Sequence, residues 1–359
     1  MLEIASLSDG GQSADEMAAR VVAFLSEARS TLDLALYDVD LTEAPGRAVA
    51  DALVAARERG VAVRVAYNYD HRMPIPVPPP PQGVPDLIED LPLETKAIAG
   101  VPDLMHHKYV VRDGEAVWSG STNWTTDSWT RQENVVVTAV SEELARCFTA
   151  DFEQLWQTGD VAVSGDVDPK PITLAGRPVR AWFCPGRGES LAHRIARRVS
   201  RARHRVRICS PVLTSAPVLG SIAEAVADGK LDVAGCLDAT QMQGVYYQWR
   251  GNGNAAWKMP LVEAILRRAP FSGKRSTPYG RGDDVHDYMH AKITVCDDVV
   301  FAGSYNLSHS GELNAENVIE IRDAELADRM AAFVDEVRAR YPEAPLPGDE
   351  AAERHAAAQ

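Results

Sequence analysis

The sequence predicts an α/β protein built as two similar lobes, each a mixed, mostly parallel sheet flanked by helices. Three observations predict it. The chain repeats itself, each half alternates helical and strand-like apolar periods, and one polar pattern recurs in both halves. Strand–helix–strand order favours parallel pairing in layered α/β folds. At 359 residues the chain is long enough for two modules of ordinary domain size.

The elements follow in order. In the first half, Ala18, Val21, Val22 and Leu25 mark one face of an amphipathic helix, and Leu32 to Tyr37 read as a strand. In the second half, Leu191, Ile195 and Val199 mark the helix, and Val206 to Cys209 the strand. A second helix follows each, over 46–60 and 218–230, closed by a glycine or a polar turn. A further strand follows each, over 61–68 and 231–238. Each half then carries an irregular insertion. The first contains the run Pro78 to Pro81, which excludes helix and central strand and predicts a surface loop or cleft wall. The second, over 246–284, is longer, aromatic and locally basic. Residues 161–176 read as the connection between halves. The expected division is therefore 1–165, 166–345 and a frayed, flexible tail over 346–359.

Composition narrows the class. Apolar and charged fractions of 45% and 25% are those of a soluble globular chain. The formal net charge of −14 gives no global attraction to phosphates, so a nucleic-acid enzyme would need locally basic clefts. Five widely spaced cysteines, without a CxxC pair, suit free thiols in a reducing compartment. The first residues lack a secretory pattern, and no stretch approaches the apolar length of a membrane-spanning helix. A cytoplasmic protein, with a peripheral place at a membrane left open, is the expectation.

The chemistry lies in the recurring pattern. Its first copy contains His106, Lys108 and Asp113, then Gly120, Ser121 and Asn123. Its second contains His290, Lys292 and Asp297, then Gly303, Ser304 and Asn306. Ten residues after each asparagine stands a Glu-Asn pair, Glu133-Asn134 and Glu316-Asn317. Histidine and lysine two apart on an alternating apolar segment point to one face of a strand. The Gly-Ser turns would bring a hydroxyl and an amide to the same edge, where ligands of such sheets bind. No HExxH, cysteine cluster or calcium loop is present in the sequence, so neither metal nor other cofactor is expected.

On these motifs the sequence resembles the phospholipase D superfamily, in its two-motif, single-chain form. The resemblance runs from about residue 4 to 341. It implies two lobes related by a pseudo-two-fold, with the motifs meeting in a cleft between them. It implies that one histidine attacks phosphorus while the other protonates the leaving oxygen and then activates water or an alcohol. His106 takes the nucleophile's position by resemblance, and His290 the acid's. Lys108 and Lys292 would neutralise phosphoryl oxygens, and Asn123 and Asn306 would donate to them. Ser121 and Ser304 join that binding set, Glu133 and Glu316 would hold imidazole tautomers, and Asp113 and Asp297 complete the catalytic motifs, with a structural role for them weighed equally. Because one chain supplies both half-sites, no oligomer is required.

The substrate stays open. A phospholipid diester, hydrolysed or transferred to an alcohol, is the first reading, and a nuclease or a small-molecule phosphodiesterase the alternative. Tyr246, Tyr247, Trp249 and Trp257, beside Arg250, Lys258, Lys274 and Arg275, mark a candidate rim for lipid head groups or bases. His286 and His309 are secondary cleft candidates. The arginines from Arg194 to Arg205 read as a solvated helix face.

Overall fold

The computed structural model describes residues 1–40, 43–69, 88–251, 253, 255–277 and 286–348. Pro78 to Pro81, His71, His355 and the tail from 349 lie outside the described residues.

Two sheets form the frame. The first carries β1 (Leu2–Leu7), β2 (Thr31–Leu36), β3 (Ala62–Asn68), β4 (Glu94–Ile98), β5 (Lys108–Arg112), β6 (Ala116–Gly120) and β7 (Gln132–Val140) in the order β1-β7-β6-β5-β2-β3-β4. The second carries β8 (Ile172–Leu174), β9 (Arg177–Cys184), β10 (Arg205–Ser210), β11 (Asp232–Asp238), β12 (Phe271–Lys274), β14 (Ile293–Cys296), β15 (Val299–Gly303) and β16 (Glu316–Arg322). Their order is β12-β11-β10-β14-β15-β16-β9-β8. The short strand β13 (Tyr288–Met289) crosses over and pairs in parallel with β7 of the first sheet.

The α/β class and the two-sheet plan match the expectation, but the sheets are mixed and mostly antiparallel. Among the described strands, parallel pairing runs through β2-β3-β4, β10-β11-β12 and the β13 crossover, beside isolated parallel bridges such as Met105–Ala315. The reason is local. The motif strands are joined by tight hairpins at Asp113-Gly114 and Asp297-Asp298, which force antiparallel neighbours. The strand–helix–strand argument holds only where a helix intervenes.

Helices sort by the face they cover. On the outside of the first sheet lie α1 (Ala14–Ser26) and α2 (Ala44–Glu58), burying Val21, Leu25, Val49 and Leu53 against Leu32, Leu34 and Val65. The first of these is entered through a Ser13–Glu16 capping box. The short α3 (Thr126–Thr130) precedes β7. Between the sheets lie α4 (Glu142–Thr158) and α10 (Ala324–Arg340), whose Phe148, Phe152, Met330 and Val334 share one core with both sheets. On the far side of the second sheet lie α5 (Gly188–Arg201), α6 (Ala216–Asp228), α7 (Ala239–Gly251) and α8 (Met259–Arg268). The short α9 (His309–Leu313) matches α3.

The shared middle core welds the halves, and the motif segments exchange partners across it. Met105 bridges to Ala315, while Tyr288 and Met289 pair with Gln132 and Glu133. Each motif histidine is thus mounted against a strand of the opposite half.

Candidate active site

The mounting of each histidine is fixed at the residue before it. The Met105 N–H donates to Asn68 Oδ1 at 3.0 Å, and the Met289 N–H to Asp238 Oδ2 at 3.2 Å. Asn68 and Asp238 end the equivalent strands β3 and β11. The His106 N–H adds a bond to the carbonyl of Ala315 at 2.9 Å.

So held, the two imidazoles meet edge to face with ring centroids 6.4 Å apart. Both are nearly closed off, at 5% and 6% exposure, so any ligand they meet is itself largely desolvated. Tyr37 packs edge-on to His106 at 4.5 Å, and Tyr288 tilts against His290 at 5.2 Å.

The lysines come from the same segments. Lys108 Nζ donates to the His106 carbonyl at 2.7 Å and sits 4.6 Å over the Tyr37 ring. Lys292 Nζ donates to the His290 carbonyl at 2.9 Å. Burial pushes Lys108 down to about 7. Burial, then repulsion from Lys108, pushes Lys292 well below its ordinary value. An anion placed beside both would restore their charges.

The histidines are backed through Nδ1. A carboxylate oxygen of Glu316 lies 2.9 Å from His106 Nδ1. Burial pushes the Glu316 carboxyl up to about 8, against Lys108, the Ser304 hydroxyl and Lys292. Burial, followed by Lys108 and Lys292, holds His106 well below its ordinary value. Behind His290 the partner is Asn134 Oδ1, at 3.2 Å from Nδ1.

Three sequence expectations are corrected here. Glu133 does not back His290: Lys274 Nζ bonds it at 3.0 Å and the Tyr341 hydroxyl donates to it. Asp113 and Asp297 stand outside the cleft, one strand length (about 16 Å) beyond their lysines. Asp113 accepts from the backbone N–H groups of Arg29, Ser30 and Thr31, and Asp297 from those of Arg203, His204 and Arg205. Each adopts positive φ, 55° and 51°, at its hairpin turn and clamps the chain entering β2 or β10. The Ser121 and Ser304 hydroxyls face the walls rather than a ligand. Ser121 Oγ donates to Asn134 Oδ1 at 2.7 Å and accepts from the Val135 N–H, and Ser304 Oγ accepts from the Asn317 N–H at 3.0 Å.

The glycine before each serine has a steric cause. A Cβ on Gly120 would sit 2.1 Å from the Val135 carbonyl oxygen, and one on Gly303 2.0 Å from that of Asn317. Only glycine lets the strand end pass this close. Asn123 lies in the wall, its Nδ2 donating to Asp38 Oδ2 at 3.3 Å; Asn306 occupies the matching turn.

Away from the site, His309 is exposed and faces Glu312, and His286 stacks behind Tyr288 rather than on the cleft histidines. Arg194 and Arg198 both bond Glu320, while Arg197 and Arg201 stand exposed on the same helix. Lys258 donates to the Thr214 carbonyl. Tyr246 and Trp249 are core residues, while Tyr247 and Trp257 stay exposed at 62% and 55%.

Residues that sequence reasoning missed are Tyr37, Asp38, Asn68, Asp238 and Tyr288. Asp38 is buried, and that burial, reinforced by Asp127, pushes it up to about 7 beside Lys108. A polar residue closing an otherwise apolar strand was the available signal for Asn68 and Asp238.

A family model described as cardiolipin synthase, PLD-like domain, matches residues 21–156 and 195–338. The chain belongs to the phospholipase D superfamily. That membership places it among phosphodiesterases. Among curated superfamily relatives, the human (Homo sapiens) mitochondrial cardiolipin hydrolase is 29% identical over 196 residues, covering 50% of this chain and 71% of the relative. The Xenopus tropicalis mitochondrial cardiolipin hydrolase is 29% identical over 153 residues, covering 41% and 65%. Phosphatidylserine synthase of Haemophilus influenzae Rd KW20 superposes with a TM-score of 0.63 at 14% identity, covering 94% of this chain and 86% of that one. Polyphosphate kinase of Porphyromonas gingivalis superposes at 0.61 and 14%, covering 99% and 52%. These two likenesses establish the phospholipase D fold alone, since one fold serves several reactions.

Among the described residues, no helix is long and apolar enough to cross a membrane.

Proposed function

We propose that this chain is a phospholipase D-type enzyme that cleaves a phospholipid phosphodiester through a covalent phospho-histidine, without a metal. The observation that carries the reading is the pair of imidazoles 6.4 Å apart between centroids, each followed by a buried lysine on the same segment. Halves 1–165 and 166–345 each contribute one half-site.

In the first step His106 Nε2 bonds to phosphorus and the bond to the leaving oxygen breaks. His290 Nε2 delivers its proton to that oxygen. In the second step water or an alcohol gives a proton to His290, its oxygen bonds to phosphorus, and the nitrogen–phosphorus bond breaks. Attack and departure lie on opposite sides of phosphorus, which suits two groups facing one another across a narrow cleft. Lys108 and Lys292 supply the positive charge that a metal supplies in other phosphoryl-transfer sites. Asn123 and Asn306 complete the phosphoryl wall. Glu316 and His106 titrate as a pair. As the ring becomes charged on bonding phosphorus, Glu316 holds the Nδ1 proton as a carboxylate.

A phospholipid is favoured over nucleic acid because the chain is acidic, with a formal net charge of −14. The names of the curated relatives point the same way, toward cardiolipin. Three substrates assayed in EDTA test the reading: cardiolipin/phosphatidylcholine vesicles, single-stranded DNA and bis-p-nitrophenyl phosphate. Lipid cleavage absent from His106→Ala is expected. DNA cleavage with intact lipid would replace the substrate, and activity restored only by added metal would replace the mechanism.

A further inference from the structure

The two Glu-Asn pairs are equally spaced in sequence but not equivalent in space. Gly120 pairs with Val136, whereas Gly303 pairs with Val318. Met105 bridges Ala315, whereas Met289 pairs with Glu133. Both registers set Glu133 opposite Ala315 and Asn134 opposite Glu316. The extra residue of the first half is Arg131, inserted between α3 and β7 where α9 passes directly to Asn314. One histidine therefore has a carboxylate behind it, and the other an amide at the same place.

The hydrogen-bond accounting around Asn134 is closed. Its Nδ2 donates to the Ser128 carbonyl at 3.2 Å, which leaves Oδ1 as the acceptor for Ser121 Oγ at 2.7 Å and for His290 at 3.2 Å. An amide oxygen accepts but cannot take up a proton. Nδ1 of His290 must then be the donor, and Nε2 faces the cleft.

We infer that Asn134 is a positioning residue that makes His290 the stronger acid of the pair, fixing its tautomer without lending the negative charge that would retain its proton. The inference rests on the two-histidine reading above. The groups facing His290 agree with it. Burial first, then Lys292, Lys108 and His286, disfavour its cation. The carboxyl on the neighbouring strand, Asp238, is turned to the backbone of Met289 and the Ser276 hydroxyl. Glu133 is drawn off by Lys274. Opposite, Glu316 supports the positive charge that His106 gains as nucleophile. The inserted residue thus separates two chemically identical side chains into a base-like and an acid-like member.

The test is ¹⁵N-histidine NMR of the full chain, with His290 assigned by its loss in His290→Ala. It is paired with kcat/KM against pH on a short-chain, water-soluble phosphatidylcholine, whose alkoxide leaving group needs a proton. Asn134→Asp, an isostere, should raise the His290 pKa by about 1 to 3 and move the basic limb of the profile upward with it. Asn134→Ala should mix the His290 tautomers, which wild type holds as Nδ1–H. An unmoved His290 resonance in Asn134→Asp, or a single Nδ1–H tautomer surviving in Asn134→Ala, overturns the inference whatever activity does. A raised pKa with an unmoved profile upholds the pairing and overturns the two-histidine reading beneath it.

Discussion

The two halves mount their histidine–lysine pairs alike and differ behind the histidines. In the first half His107, next to His106, lies fully buried with Nε2 3.0 Å from Asp151 and Nδ1 3.3 Å from Asn317. Asp151 also accepts from the Tyr109 hydroxyl at 2.9 Å. Counted from the motif and from the helix N-cap, the second half has Ala291, Phe333 and Ile293 at these places, all apolar and buried. By contrast the Asp113 and Asp297 clamps are near copies. Positions that fix backbone entry are kept alike in both halves, whereas the support of the two imidazoles has diverged. Residues at matching positions therefore need not share a role.

The largest expected effect separates the two histidines. His106→Ala should lower turnover on the order of 10⁶-fold on every diester, as loss of a nucleophile does. His290→Ala should cost about 10²- to 10⁴-fold with an alkyl leaving group. It should cost far less in the first turnover of bis-p-nitrophenyl phosphate, whose leaving group departs without a proton. Equal losses on both substrates would erase the difference between halves.

Next comes the buried polar set. Asp151→Ala alone should cost about 1 to 3 kcal/mol in urea unfolding, because it removes the buried acceptor of the Tyr109 hydroxyl and the carboxyl beside His107. Converting the first half to the apolar pattern, His107→Ala with Asp151→Phe, should recover most of that loss. Additive penalties would mean that the two residues do not act together.

Asp113→Ala and Asp297→Ala should each cost about 1 to 3 kcal/mol by orphaning backbone donors, and leave KM unchanged. Burial, which raises these carboxyls, is outweighed by their backbone N–H donors, so both lie below the ordinary value. Their stabilisation is therefore full above the unfolded carboxyl pKa and lost as pH falls through the lowered folded one. A Tm series into acid should flatten in both variants relative to wild type; a change in only one would break their equivalence.

The smallest effect concerns the lysines. With Lys108 near 7 before binding, inorganic phosphate should bind with proton uptake. Its affinity should weaken as pH rises through that value, by up to about tenfold per pH unit for one coupled proton. Calorimetry in buffers of different ionisation enthalpy reads the uptake directly, and buffer-independent heats would place Lys108 outside the phosphate site.

Much of this architecture was legible. Apolar periodicity located the helices and strands, and the doubled pattern identified the cleft. Two things were hidden, for physical reasons. Hairpin turns decide strand direction, and Asp113-Gly114 outweighs any strand–helix–strand rhythm nearby. Register depends on residues spent in turns, so one inserted Arg131 slid Glu133 out of the place its spacing promised, and Asn134 into it. Asn68 and Asp238 act through main-chain bonds that no spacing rule encodes.

The exchange of motif segments between sheets has a consequence for biosynthesis. His106 leans on Ala315 and Glu316, residues made some two hundred positions later. A nascent first half, however well folded, holds a histidine with neither its backbone anchor nor its carboxylate. This surrounding of His106 is completed only when the second half docks.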